Sequence, residues 1–183
     1  MNELKEVFGI LEEPQELASI IFDSTKRNTL ENKLQSVGEQ FSLEHIENQM
    51  NAVSRALISL GASSGDNIAI YGLDYLDALN LYLASGQVGI NVVNLSNAKT
   101  VAELNEVILS SKARFVFFGD STTSVLGSDY LDQISTSGKG IFLEYLVCQG
   151  NIENCSGNVL TWEKFRKLER LATNWEVGLL RVI

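Results

Sequence analysis

The stretch LGASSGDNIAIYG, residues 60–72, decides how the chain is read. Three glycines, two serines and an aspartate surround one apolar run. A phosphate-cradling loop needs a strand first, then the glycines, then a helix whose N-terminal amides face the anion. Here the order is reversed. Upstream, Ile46, Met50, Val53, Leu57 and Leu60 recur at steps of four, three, four and three residues, which predicts one amphipathic helix. Ser42 suits its N-cap, and Glu44 complements the positive end of its dipole. Gly61 stands where a left-handed C-terminal cap is expected. Downstream, Asn67-Ile68-Ala69-Ile70-Tyr71 reads as a buried strand. The loop amides therefore lie at the negative end of a helix, and Asp66 adds a further negative charge. The stretch is a helix stop and a strand start.

Working outward, Tyr75 to Val88 predicts a helix that is apolar nearly all round, so an interior one, ended by Gly89. Ile90 to Leu95 is the next strand, Val101 to Ser111 a helix with Leu104, Val107 and Ile108 at core spacing, and Arg114 to Phe118 a third strand. Gly140 to Val147 reads as a strand, and Thr161 to Leu171 as a short helix capped by Thr161 with Trp162, Phe165 and Leu168 on one face. At the front, Pro14 to Lys26 predicts a helix and Thr29 to Ser42 a hairpin, while Ser121 to Ser135 reads as a loop with a helix. Strands and helices alternate through short connections. That pattern predicts an α/β fold: a layered, mostly parallel sheet with helices on both faces. A single, incomplete domain is expected over 1–183, with an N-terminal helix and hairpin (1–40), core βα units (41–118) and a less regular extension (119–183).

The chain has 183 residues and 45% hydrophobic side chains, enough to bury a core. Fourteen Lys and Arg against 23 Asp and Glu give a net charge of −9, which disfavours nucleic acid and anionic membrane as partners. The run Leu17–Phe22 is too short to span a bilayer, and acidic residues precede it, unlike a signal peptide. No Arg-rich transit segment is evident either, so a cytoplasmic protein is expected. Asn94-Leu95-Ser96 and Asn154-Cys155-Ser156 match the glycosylation sequon, read here as chance. Cys148, Cys155 and the single His45 do not supply the four ligands of a zinc site, and reduced thiols are expected.

No stretch carries chemistry by itself. Gly119-Asp120-Ser121-Thr122-Thr123-Ser124 follows a strand, but it lacks the glycine spacing and a lysine, and Asp120 would repel a phosphate. Helix capping accounts for it better. His45 falls in the first turn of an amphipathic helix and reads as a surface side chain. Asp74 and Asp77 flank a helix start, where capping and dipole effects account for them. Tyr71, Tyr75 and Tyr82 read as core. Catalytic, cofactor-binding and metal residues are accordingly expected to be none.

The order of features from Gln40 to Phe118 resembles the N-terminal region of the adenylate-forming superfamily, nearest to its fatty-acid and other acyl-CoA synthetases. Phe41-Ser42-Leu43-Glu44-His45-Ile46 is similar to that family's (L/F)-T-Y-x-E-L entry. Ala56 to Gly61 followed by Gly65 to Ile70 is similar to A-L-x-x-L-G-x-x-x-G-D-x-V-A-I. Tyr75 to Gly89 resembles the apolar helix ending in K-A-G, Val92 to Asn97 the V-N-I-N-P turn, and Ala113 to Phe118 the strand that follows. Thr161-Trp162-Glu163-Lys164-Phe165 is similar to a S-W-E-E-L helix. Leu73-Asp74 replaces the family's P-N, and Asn97 its turn proline, so the resemblance is to a divergent member. The family uses ATP, magnesium and coenzyme A to turn a carboxylic acid into acyl-CoA, AMP and pyrophosphate. Its Ser/Thr/Gly-rich loop ending in Pro-Lys-Gly, its Tyr-Gly-x-Thr-Glu segment and its later Asp and Lys have no counterpart in these 183 residues. The resemblance implies the N-terminal fragment of such a ligase, inactive alone and without a cofactor of its own, whose partner is the rest of the domain or a full-length synthetase. The alternative is a free-standing scaffold or interaction domain of the same origin. A Rossmann-type nucleotide binder has little support, because no G-x-G-x-x-G follows a strand.

Overall fold

The computed structural model describes residues 42–119, 130, 143–149 and 158–171. The predicted helix at 14–26, the hairpin at 29–42 except Ser42, Cys155 and all of the 121–135 segment except Tyr130 lie outside the described residues. By internal contacts the described residues fall into two compact units. One takes in those of Met1–Ser64, Tyr75–Gly89 and Leu168–Ile183, the other those of Gly65–Asp74 and Ile90–Lys167.

The first unit holds two helices. Helix α1 (Leu43–Ser59) is the predicted amphipathic one, and Leu43, Ile46, Met50, Val53, Ala56 and Leu57 are buried along its stripe. Ser42 caps it by accepting the amide of His45 at 3.2 Å. Its other end closes as the glycine predicted. Gly61 has φ +95°, its amide donates to Ile58 O at 2.9 Å, and the amide of Ala62 donates to Leu57 O at 3.0 Å. These paired bonds satisfy two carbonyls at the helix end, and only glycine reaches that φ without strain. Helix α2 (Tyr75–Val88) is buried on every side from Leu79 to Ser85. The two helices are joined by buried polar contacts. Ser54 Oγ donates to Gln87 Oε1 at 2.6 Å, and Gln87 Nε2 donates to Asn51 Oδ1 at 3.1 Å.

The second unit is a five-stranded parallel sheet of order β2-β1-β3-β4-β5, built from β1 (Asn67–Tyr71), β2 (Asn91–Asn94), β3 (Phe115–Phe118), β4 (Tyr145–Cys148) and β5 (Val159–Thr161). Ile68, Phe115 and Tyr145 share one register line. Side chains alternate between the two faces. On one face Ala69, Tyr71, Val116, Phe118, Leu146 and Cys148 pack with Leu104 and Ile108 of α3 (Val101–Ser111) and with Tyr130. On the other, Phe117 meets Phe165 and Trp162 of α4 (Trp162–Lys167) edge-on, at 5.2 and 6.2 Å between ring centres. The parallel α/β sheet with helices on both faces is therefore present as predicted.

Differences from the sequence reading are local. β5 was not predicted. It is three residues long and half-buried at the sheet edge, too short to show periodicity. Thr161 ends that strand and also caps the next helix, accepting the Lys164 amide at 3.2 Å. The helix itself stops at Lys167 and tightens into a 3-10 turn over Leu168–Arg170, short of the predicted Leu171. The predicted strand at 140–147 is a strand over Tyr145–Cys148, its first residues lying outside the described set. Helix α3 has a cap the sequence reading passed over. Thr100 Oγ1 accepts the Glu103 amide at 3.2 Å, and Glu103 reaches back to the Lys99 amide at 2.7 Å.

The C-terminal end of α3 repeats the closure of α1 without a glycine. Lys112 holds φ +53°, with Lys112 N–H to Leu109 O and Ala113 N–H to Ile108 O both at 3.2 Å. A left-handed L-residue costs roughly 1–2 kcal/mol, partly offset by the greater unfolded-state entropy of glycine. Lys112→Gly is expected to stabilise the protein by about 0.5–1 kcal/mol, read as a higher denaturation midpoint. An unchanged or lower midpoint would contradict that account.

Candidate functional site

In an open parallel sheet, ligands sit beyond the carboxyl ends of the strands, where the strand order reverses. Here the chain runs from β1 outward to β2 and returns to β3 on the other flank of β1, so that point lies between the ends of β1 and β3. There the described ends of β1 and β3 are bonded to each other. The Gly119 amide donates to Tyr71 O at 2.8 Å. A Cβ on Gly119 would collide with the Gly72 carbonyl and the Leu73 Cα, so the two backbones are in contact. Beyond them, Gln149 at the end of β4 donates from Nε2 to Asp74 Oδ2 at 3.1 Å, bridging across the end of β3. The Gln149 amide donates to Phe118 O at 2.8 Å.

The opposite, amino end of the same three strands is tied by ions. Arg114 precedes β3, Asp66 precedes β1 and Glu144 precedes β4, and the register brings the three side by side. Arg114 forks onto both Glu144 oxygens, Nη2 lying 2.8 Å from Oε2, while Nη1 pairs with Asp66. Its guanidinium also stands 5.0 Å above the Phe115 ring. The Glu144 hydrogen bond, with Asp66 adding to it, raises the Arg114 pKa above its ordinary value against the opposing effect of burial. Asp66, read from the sequence as a negative charge spoiling a phosphate loop, is an ion-pair partner in the fold. The signal available in the sequence was a charged residue immediately before each of three strands.

The other residues considered from the sequence fall as follows. His45 is exposed in the first turn of α1, as read. Tyr71 is buried and donates from its hydroxyl to Ala98 O at 3.2 Å, and Tyr82 is buried in α2; nothing is described of the Tyr75 side chain. Asp74 belongs to the bridge above, and Asp77 lies in the first turn of α2. Cys148 is buried at the end of β4. Among the described residues no group of three or more His, Cys, Asp or Glu is placed to hold a metal ion. No helix among them is long and apolar enough to cross a membrane.

No family model and no curated protein sequence matches the chain. Solved structures do. The anthranilate CoA ligase AuaEII, in complex with anthranoyl-AMP, aligns at a TM-score of 0.54 and 21% identity over 70% of this chain and 23% of its own. The coronafacic acid ligase from Pectobacterium brasiliense aligns at 0.60 and 19% identity over 69% of this chain and 24% of its own. The chain shares part of the ligase fold. It spans about a quarter of the length of these ligases.

Three outcomes test this geometry. Gly119→Ala is expected to cost about 3 kcal/mol or more, because both colliding groups are backbone. A loss under about 1 kcal/mol in denaturant melts would show that the strand ends can part. Arg114→Met leaves the carboxylate of Asp66, 15% exposed, without its partner. That variant is expected to lose about 1–2 kcal/mol, and Asp66→Asn in the same chain to recover part of the loss. Two losses that simply add would remove the ion pair from the account. Tyr130 is buried against Phe118, its ring centre 5.6 Å away, and burial pushes its pKa up to about 12 from 10.0. The folded state holds that proton after the unfolded chain has lost it, so stability falls as pH rises from about 10 to about 12. Tyr130→Phe should flatten this alkaline limb in melting curves taken across that range, and an equally steep limb in the variant would rule the residue out.

Proposed function

We propose that this chain is the N-terminal portion of an acyl-CoA synthetase-like ligase, serving as scaffold and inactive on its own. The observation that carries the proposal is the fold likeness to CoA ligases over about 70% of this chain and about a quarter of theirs. The ordered motifs from Gln40 to Phe118 support it independently, because they follow the family's sequence order. In the parent enzyme a carboxylate attacks the α-phosphate of ATP and releases pyrophosphate. The sulfur of coenzyme A then displaces AMP from the acyl-adenylate. This portion would contribute no group to either step and would form one wall of the larger domain. Its partner is the remainder of that domain, or a longer ligase that supplies it, and its compartment is the cytoplasm.

An ATP–pyrophosphate exchange assay with a panel of aromatic and aliphatic carboxylic acids tests this reading. The purified chain is expected to show exchange at the no-protein background with every acid. Acid-dependent exchange above background would overturn the proposal that it is inactive alone. A reading frame that lacks a downstream Ser/Thr/Gly-rich loop and Pro-Lys-Gly would instead favour the free-standing scaffold.

A further inference from the structure

We draw no further inference here: the strongest candidate, the outer edge of β2 with half-buried Val92 and Val93 between exposed Asn91 and Asn94, carries nothing, because nothing in the structure shows what covers it.

Discussion

β3 has no free side, and the rest of the sheet is arranged around that constraint. Its four residues, Phe115 to Phe118, are all buried. β1 and β4 pair with its two edges, α3 covers one of its faces and α4 contributes the aromatic cover of the other. A strand in that position must carry apolar side chains in both directions, which is why it reads FVFF rather than alternating. Full burial of each such side chain is worth roughly 1.5–3 kcal/mol. The four together therefore outweigh the ion cluster at the strand's entry, whose net contribution is small once desolvation is set against the attraction. Burial makes the sheet, and the charges pair at its entry in the register that burial sets.

That division shows at the two ends of the strand. At the entry, Phe115 pairs with Ile68 and Tyr145, and this register brings Arg114 within reach of Glu144, one residue before Tyr145, and of Asp66, two residues before Ile68. A slip of one residue would send β3's apolar side chains to the opposite faces and separate the charges as well. At the exit, the Gly72–Gly119 contact and the Asp74–Gln149 bridge tie the same three strands. The glycine at 119 is a packing requirement, since its φ lies outside the left-handed region and what excludes a side chain is the neighbouring backbone.

Much of this was legible in the sequence, for identifiable reasons. Helix α1, β1, α2, α3 and β3 were read to within two residues at each end, because each is long or strongly apolar and bounded by a cap or a glycine. The closure at Gly61 was legible because glycine at that site has one common use. The same closure at Lys112 was not, because lysine there contradicts the local preference and only the surrounding fold imposes it. β5 escaped because three residues cannot show a period. The bridge between Asp74 and Gln149 and the Arg114 cluster escaped because they join residues 75, 48 and 30 positions apart, and pairing in a parallel sheet is set by topology.

The order of the strands also bears on how the fold relates to chemistry. A doubly wound sheet offers its ligand crevice where neighbouring strand ends diverge, and a bound ligand then has to be accommodated by loops that keep the gap open. Here the strand ends at that place touch, and a side-chain bridge crosses above them. Among the described residues, backbone and side-chain contacts tie β1, β3 and β4 at both ends.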